Sequence, residues 1–349
     1  MNYHHLSGMA RPGAEWSWRS PKEQLQYAVG ALLYAPAIHA GVKDSILLKR
    51  YQALTSIVFC LEDAILDAQV PAAERTLAKV LSEIHAAWQQ GALAERDLPL
   101  LCIRVRQAEQ IPRLLASLGS SAEILTSFVL PKFDSGNATP YLDAFLAAKA
   151  NTPFSGYLMP IIESERVMQK DTRLDELLAI RAALGQLPEH VLNVRVGGND
   201  FCRMFGLRRS RTQSIYDVAV VCDVLVDILQ MLGQEHIISA PVWEYFGEED
   251  DSAWRRGLQN EVALDRLNGF VGKTAIHPVQ LEAIQQGYAV EPGDYADALA
   301  VLDWQSDMGV GKTQETLRMN EVKVHERWAR KIMSLAQIYG VKQSNEGHH

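Results

Sequence analysis

The side chains best suited to catalysis are charged residues that directly follow short apolar segments of the chain. Glu62 and Asp63 follow the segment SIVFCL, Glu163 follows GYLMPII, and Asp200 follows VLNVRVGGN. Carboxylates at such positions can bind a metal ion, orient a water molecule or move a proton.

Glu163 and Asp200 follow consecutive segments, which places their carboxylates close together if those segments are adjacent strands. Two close carboxylates raise the energy unless a cation or a shared proton lies between them. Two carboxylate ligands, with waters and substrate oxygens in the remaining coordination positions, suit Mg2+. No His or Cys pair at comparable positions supports zinc. The alternative is that these acids cap the following helices or pair with Arg104 and Lys132.

Basic residues and glycines follow neighbouring segments and could complete a binding surface. Arg104 is a candidate anion clamp, because a guanidinium can bind a carboxylate through two hydrogen bonds and stays charged. A salt bridge with Glu62 or Asp63 is an equal alternative for it. Lys132 could neutralise an enolate or hold an acidic partner. Gly197 and Gly198 would let a substrate approach the backbone closely.

Eight short apolar segments recur along the chain, each followed by a stretch with helical periodicity, which predicts repeated strand–helix units. Eight parallel strands close most economically into a (β/α)8 TIM barrel, because an open doubly wound sheet, the alternative, leaves two edges to protect. Residues that follow the strands then meet at the carboxyl end of the barrel, where catalytic groups of this architecture lie. The segments are 31–36, 56–61, 98–105, 124–131, 156–162, 191–196, 237–243 and 269–276.

The chain continues well beyond the last predicted strand. We expect residues 22–288 to form the barrel and residues 289–345 to form a C-terminal helical arm or lid. Helical periodicity over residues 315–339 supports this arm.

The composition excludes some classes of function. The 349 residues are 48% hydrophobic and 22% charged, as in a large α/β domain, and the formal net charge of -8 argues against a nucleic-acid partner. The short basic cluster of Arg208, Arg209 and Arg211 is predicted to be a solvated loop, with anion binding as the alternative.

The expected environment of the protein follows from its cysteines and apolar segments. Cys60, Cys102, Cys202 and Cys222 are scattered, which predicts buried free thiols. No stretch of about 18 uncharged apolar residues occurs, and the first residues, MNYHHLSGMARPGAEW, lack the apolar segment of a signal peptide. We therefore expect a cytoplasmic protein with no membrane partner.

Seven segments, in the same order, resemble motifs of the HpcH/HpaI aldolase and citrate lyase β-subunit-like family. LLYAPA resembles L(F/Y)VPG, FCLEDAI resembles DLEDAV, IRVR resembles VRIN, VLPKF resembles MLPKV, PIIES resembles ALIET, and GGND resembles GxxD. The most specific similarity is that of GKTAIHPVQ, at 272–280, to GKxxIHPxQ. His277 of this motif is expected to begin a helix rather than to transfer protons.

This resemblance covers nearly the whole barrel and implies a (β/α)8 homo-oligomer, a trimer or hexamer, that binds Mg2+ through Glu163 and Asp200. It also implies that Arg104 binds a carboxylate or carbonyl group of the substrate. Glu62 and Asp63 match an acidic pair that orients waters on the metal and holds that arginine.

Three departures identify the chain as a divergent member of this family. Gly30 stands where an arginine commonly opens the family's first strand. In coenzyme A-dependent members an aspartate of the C-terminal arm reaches a neighbouring subunit's site, and here Glu321, in the segment MNE, would substitute for it. Trp243, Tyr245 and Phe246 would narrow or reshape the pocket.

We expect a Mg2+-dependent carbon–carbon lyase that breaks or forms the bond β to a carbonyl or thioester through a metal-stabilised enolate. Arg104 would fix the carboxylate of a small acid or of an acyl-coenzyme A substrate, and metal-bound water or Glu321 of another chain would transfer the proton. The alternatives are a pyruvate-type aldolase, an acyl-coenzyme A thioesterase or synthase, and a non-catalytic ligand-binding barrel.

Overall fold

Eight parallel strands form a barrel at the centre of the protein, as predicted. The computed structural model describes residues 6–39, 41–63, 65–248, 252–304, 310–312 and 319–344. Its strands are β1 (Met9–Arg11), β2 (Ala31–Pro36), β3 (Ser56–Cys60), β4 (Leu100–Arg104), β5 (Leu125–Leu130), β6 (Tyr157–Ile162), β7 (Val194–Val196), β8 (Ile238–Ser239), β9 (Lys273–Ala275), β10 (Val310–Lys312), β11 (Met319–Glu321) and β12 (Val341–Lys342).

The barrel strands lie in the order β8-β7-β6-β5-β4-β3-β2-β9, and every pairing between them is parallel. A parallel bridge between Ala240 and Lys273 joins the two ends of this sheet and closes the barrel. Each of the eight predicted segments contains one barrel strand. The differences are largest at residues 237–243 and 269–276, whose strands are only β8 (Ile238–Ser239) and β9 (Lys273–Ala275). In the first of these segments Pro241 has no N–H to donate to a further strand pairing.

The barrel strands are buried on both faces, which explains their continuous apolar sequences. Every residue of β3, β4 and β5 is buried. The surrounding helices are α1 (Lys22–Ala28), α2 (Gly41–Leu47), α3 (Val70–Gln89), α4 (Gln110–Leu118), α5 (Ala138–Ala150), α6 (Glu165–Met168), α7 (Arg173–Leu184), α8 (Gly198–Met204), α9 (Ala219–Leu232), α10 (Ser252–Asn268), α11 (Leu281–Tyr288), α12 (Pro292–Leu302) and α13 (Val322–Tyr339).

The C-terminal helix α13 lies at the amino end of the barrel strands. Lys331 donates a 2.7 Å hydrogen bond to the carbonyl of Gly269, which precedes β9. Arg327 donates to the carbonyl of Gln234, which precedes β8. The helical prediction for residues 315–339 is wrong over Met319–Glu321, because these residues pair with β10 as strand β11; residues 313–318 lie outside the described residues. The division at residues 22–288 and 289–345 stays a prediction.

A buried cluster of charges joins β9 to α10. Lys273 Nζ lies 2.8 Å from Glu261 Oε1 and 2.8 Å from Asp265 Oδ2, and all three residues are fully buried. Burial raises the pKa of Asp265 to about 6, with Lys273 opposing the rise. Arg209 lies 3.4 Å from Glu261 and is 3% exposed. The prediction of a solvated loop is therefore wrong for Arg209.

The predicted burial of the cysteines is confirmed for Cys60, Cys102 and Cys202, whereas Cys222 is half-buried. All four are free thiols. Within the described residues, none of the helices combines the length and the apolar composition that a membrane crossing requires.

The buried cluster generates a test of stability. We expect Lys273→Met to lower the free energy of unfolding by about 3–5 kcal/mol, because it leaves Asp265 buried without a cation and leaves Glu261 with only its longer contact to Arg209. Urea denaturation at neutral pH measures this change. The matched control is Lys79→Met, because the Lys79 side chain is 79% exposed and its ion pair with Glu83 is long at 3.9 Å. This variant should lower the free energy of unfolding by no more than about 0.5 kcal/mol. Equal stability of the two variants would contradict the structural role of Lys273.

Candidate active site

A cavity of about 220 Å³ opens at the carboxyl end of the barrel strands. It contains most of the residues that the sequence singles out. Six predicted site residues line it: Asp63, Arg104, Glu163, Gly197, Gly198 and Asp200. Glu62 and Lys132 lie behind this wall and contact it, whereas Glu321 is at the other end of the barrel.

Arg104, the last residue of β4, is held by carboxylates. Its Nη2 atom lies 2.8 Å from Glu62 Oε2, 3.1 Å from Asp63 Oδ2 and 3.3 Å from Glu163 Oε1. The salt-bridge alternative is therefore present in the structure: Arg104 contacts both Glu62 and Asp63, and Glu163 as a third acid. Binding of a substrate carboxylate by Arg104 stays a prediction.

Glu163 follows β6 and is 4% exposed. Its Oε1 atom accepts a 3.0 Å hydrogen bond from the backbone N–H of Lys132. Burial raises the pKa of Glu163 to about 7; Arg104 opposes this rise, and the negative charge of Asp200 adds to it. The carboxyl group therefore lacks sufficient positive charge nearby, and a bound cation would favour its ionised form.

Asp200 lies in the first turn of α8 and lines the same cavity as Glu163. The nearest cation to it is that of Arg203, at 3.6 Å, whose side chain is 70% exposed. Such an exposed cation neutralises little of the charge of Asp200.

Gly197 and Gly198 lack a side chain where other residues of the protein pack closely against the backbone. A Cβ atom at Gly197 would lie 2.1 Å from Glu163 Oε2, and one at Gly198 would lie 2.7 Å from Pro241 Cβ. Gly197 therefore allows the loop after β7 to approach the Glu163 carboxylate. Both glycines line the cavity, and their contact with a substrate stays a prediction.

Glu62 and Lys132 support the wall that carries Arg104. Glu62 Oε2 accepts a 2.8 Å hydrogen bond from the backbone N–H of Asp63, and its Oε1 atom pairs with Lys132 Nζ. Although burial opposes it, pairing with Glu62 and Asp63 raises the pKa of Lys132. The second of the two predicted roles of Lys132, holding an acidic partner, is the one that these contacts match.

Arg106 fixes the loop that carries this acidic pair. Its Nε atom donates to the carbonyl of Leu61 at 2.6 Å, and Nη2 donates to the carbonyl of Glu62 at 3.1 Å. The loop after β3 is thus hydrogen-bonded to a residue that follows β4.

Sequence reasoning missed Arg195, in the middle of β7. Arg195 is 1% exposed and lines the cavity. Its Nη2 atom donates a 2.7 Å hydrogen bond to Thr274 Oγ1, whereas Nε and Nη1 have no hydrogen-bond partner among the described residues. The available signal was an arginine inside the apolar segment VLNVRV, since a buried charge is rare unless it is paired or functional.

Tyr34, on β2, is a second cavity residue that sequence reasoning missed. The centre of its ring lies 6.0 Å from the guanidinium carbon of Arg104 and 5.9 Å from that of Arg195. Burial raises the pKa of Tyr34, while the two arginines oppose the rise. The phenol therefore remains neutral.

The GKTAIHPVQ motif shapes the barrel end through packing and hydrogen bonds. His277 Nδ1 accepts from the backbone N–H of Val279 at 3.3 Å, so this residue begins a helical turn as expected. Gln280 Nε2 donates to the carbonyls of Trp243 and Tyr245 at 3.0 and 2.9 Å. The motif thereby connects the loops that follow β8 and β9.

The aromatic residues after β8 do not narrow the cavity, contrary to the prediction. Trp243, Tyr245 and Phe246 are absent from its lining, and Trp243 is 1% exposed. Phe246 instead stacks on the ring of His277, with the ring centres 4.5 Å apart. The residue of this segment that lines the cavity is Val242.

Glu321 is the last residue of β11 and precedes α13, which packs at the amino end of the barrel. Its backbone N–H donates to His325 Nδ1 at 2.9 Å. The structure therefore does not bring Glu321 to the cavity of its own chain. A role in a neighbouring subunit's site stays a prediction.

Glu163 and Asp200 line the same cavity, and the binding of a metal ion by them stays a prediction. Among the described residues, no group of three or more His, Cys, Asp or Glu side chains is arranged to hold a metal ion. A cation at this pair would need water or substrate oxygens as its remaining ligands.

Solved structures share this barrel at low sequence identity. Protein CitE from Mycobacterium tuberculosis, in complex with magnesium, acetoacetate and coenzyme A, has a TM-score of 0.59 and 19% identity over 89% of this chain and 99% of its own. RipC from Yersinia pestis has a TM-score of 0.52 and 17% identity over 77% and 99% of the two chains. A citrate lyase β subunit from M. tuberculosis has a TM-score of 0.50 and 20% identity over 76% and 99%.

The sequence itself is matched at the level of the family. No protein of curated function matches it significantly. The model of the C–C bond lyases of the TIM-barrel fold matches residues 23–341, nearly the whole chain. This match and the eight-stranded barrel agree, and the chain therefore belongs to the family of C–C bond lyases of the TIM-barrel fold.

Proposed function

We propose that the protein is a Mg2+-dependent carbon–carbon lyase whose active site is the cavity at the carboxyl end of the barrel. The observation that carries this proposal is the presence of two carboxylates, those of Glu163 and Asp200, in that cavity, close enough for the charge of Asp200 to raise the pKa of Glu163. Membership of a lyase family supports the reaction class. The similar structure of CitE was solved with magnesium, acetoacetate and coenzyme A, which supports the choice of metal and of an oxo acid.

The charges around the cavity fit a divalent cation. Four carboxylates, those of Glu62, Asp63, Glu163 and Asp200, surround two well-placed cations, Arg104 and Lys132. Arg195, which also lines the cavity, is a third cation, so one negative charge remains, and a bound Mg2+ would compensate it. Oxygen ligands that leave several positions to water and substrate are those that Mg2+ prefers.

We assign Glu163 and Asp200 as the residues that hold the metal. When bound, Mg2+ supplies a Lewis acid that stabilises negative charge developing on a carbonyl oxygen. Arg104 keeps the Glu163 carboxylate in place and adds positive charge to the cavity wall. Glu62 and Asp63 position Arg104, and Lys132 fixes Glu62.

The reaction also needs a group that transfers a proton. Within the described residues the cavity wall contains no histidine, and Tyr34 remains a neutral phenol. We therefore retain Glu321 of a neighbouring subunit as the candidate base, in a homo-oligomer that is a trimer or hexamer. Its position at the end of the barrel opposite its own cavity leaves it available to another chain.

The cavity size favours a small acid as the group that enters it. Pockets for drug-sized ligands are about 300–1,000 Å³, and this cavity is about 220 Å³. Coenzyme A, if it is part of the substrate, would lie outside the cavity with only its acyl group inside.

The metal assignment is tested by Glu163→Gln and Asp200→Asn. Each variant removes one of the two anionic ligands. We therefore expect the Mg2+ affinity to fall by more than the roughly 10–100-fold that is lost when a residue hydrogen-bonded to a metal ligand is removed. Isothermal titration with Mg2+ measures the binding. Cleavage of a panel of small oxo acids, hydroxy acids and acyl-coenzyme A esters measures turnover, which both variants should lose.

The control for these variants is Glu165→Gln, which removes an exposed carboxylate two residues from Glu163. It should retain the Mg2+ affinity and the turnover of the unmodified protein. Retention of both by Glu163→Gln or Asp200→Asn would rule out the assigned metal site.

Gly197→Ala tests the approach of the β7 loop to Glu163. The added Cβ would lie 2.1 Å from Glu163 Oε2, so the carboxylate must move and we expect Mg2+ affinity to fall at least about tenfold. Gly136→Ala is the control, because its Cβ meets only Asp134 Oδ1, at 3.3 Å. Thermal unfolding would show that both variants fold. Normal Mg2+ affinity in folded Gly197→Ala would show that the contact does not fix the carboxylate.

A further inference from the structure

Arg195 is a buried cation without a counter-ion beside the proposed metal site. It lies on β7, two residues before Gly197, and is 1% exposed. In the part of the chain that the structure describes, no carboxylate forms an ion pair with it, and its one hydrogen bond goes to the neutral hydroxyl of Thr274 at 2.7 Å. Its Nε and Nη1 atoms therefore leave three N–H groups without an acceptor.

The other arginine of the cavity is in the opposite situation. Arg104 has three carboxylates within 3.3 Å. Its charge is therefore already neutralised by the protein, whereas that of Arg195 is not. Burial of an unpaired guanidinium is strongly unfavourable, and a function at the site is the usual reason for such a group to be retained.

The charge of Arg195 influences the pKa values of Cys102, Tyr34 and Tyr288, but none of these groups supplies a counter-ion. Burial raises the pKa of Cys102 to about 12 and also raises the pKa values of Tyr34 and Tyr288. All three side chains are therefore neutral at physiological pH. Glu163 and Asp200 share the cavity, but among the described residues neither forms an ion pair with Arg195, and both are assigned to the metal. A ligand is then the available source of a paired negative charge.

We propose that Arg195 and Thr274 form a carboxylate subsite in the cavity, and that the substrate is a small acid that enters with this carboxylate first. Both residues line the cavity, together with Glu163 and Asp200. The Thr274 hydroxyl accepts from Arg195, which leaves its own proton for a ligand oxygen. Guanidinium and hydroxyl donors together suit a carboxylate.

This subsite sets the orientation of the substrate. The uncharged side chains of Ile161, Val242 and Ile276 line the cavity along with the charged groups. An acid bound through its carboxylate at Arg195 places its carbonyl or hydroxyl oxygens toward Glu163 and Asp200. That the reaction then occurs there rests on the proposed lyase function; binding of the acid does not.

The test is a comparison of acids with their uncharged esters. Pyruvate and acetoacetate, each paired with its methyl ester, are titrated into the full-length protein by calorimetry, with and without Mg2+. The unmodified protein should bind each acid at least about tenfold more tightly than its ester. Arg195→Gln and Arg195→Met should weaken acid binding by about 100-fold, leave ester binding unchanged and thereby abolish the preference.

Two further variants provide the controls. Arg195→Lys retains the charge, so it should keep part of the preference for acids even though the geometry of the donors changes. Arg208→Gln removes a surface charge whose side chain is 77% exposed, and it should bind acids like the unmodified protein. A preference for acids that persists in Arg195→Gln or Arg195→Met would overturn the subsite.

Thermal unfolding without ligand separates a binding role from a structural one. Removal of a buried unpaired charge should leave the melting temperature of Arg195→Met unchanged or raised. A lower melting temperature together with a retained preference for acids would assign Arg195 to the fold instead.

Failure of this inference differs from failure of the proposed function. If the lyase proposal fails, Mg2+ binding or turnover is absent, while the acid preference still depends on Arg195. If the subsite fails, Arg195→Gln keeps both the acid preference and the turnover of the unmodified protein.

Discussion

The contact of one guanidinium with three carboxylates organises the carboxyl end of this barrel. Arg104 brings Glu62, Asp63 and Glu163 within 3.3 Å of a single nitrogen atom, and these acids come from the ends of two different strands. Without that cation the three carboxylates would repel one another. Because Arg104 ends a buried strand, the barrel fixes the position of the cation that these acids contact.

Two further contacts in the fold support this arrangement. The approach of Gly197 to Glu163 brings Asp200 to the same cavity, since an added Cβ would overlap the carboxylate. On the opposite side of the sheet, the buried pairs of Lys273 with Glu261 and Asp265 attach β9 to α10. The close approach of Gly197 and the buried ion pairs of Lys273 thus hold the ends of β7 and β9 beside the cavity.

The barrel and the shared location of Glu163 and Asp200 could be predicted from the sequence, because both depend on the order of strands and helices along the chain. Apolar segments with helical intervals predict strands, and residues just after those strands must meet at one end. The partners of Arg104 could not be decided, since they depend on side-chain directions across strands. Arg195 was missed because it lies inside a strand rather than after it. Helical periodicity gave no sign that Met319–Glu321 pairs as a strand, and only the three-dimensional packing shows that Arg209 is buried.

The two arginines of the cavity show why position alone does not define a binding residue. Arg104 stands at a strand end, where a substrate-binding group is expected, yet the protein neutralises its charge with three carboxylates. Arg195 lies deeper and has no such partner. A cation that is already paired gains little from a further anion, whereas an unpaired buried one gains the full interaction in a medium of low dielectric constant. The charge balance therefore gives the two residues different tasks: Arg104 maintains the acidic site, and Arg195 is the residue able to attract the substrate's anion into the cavity.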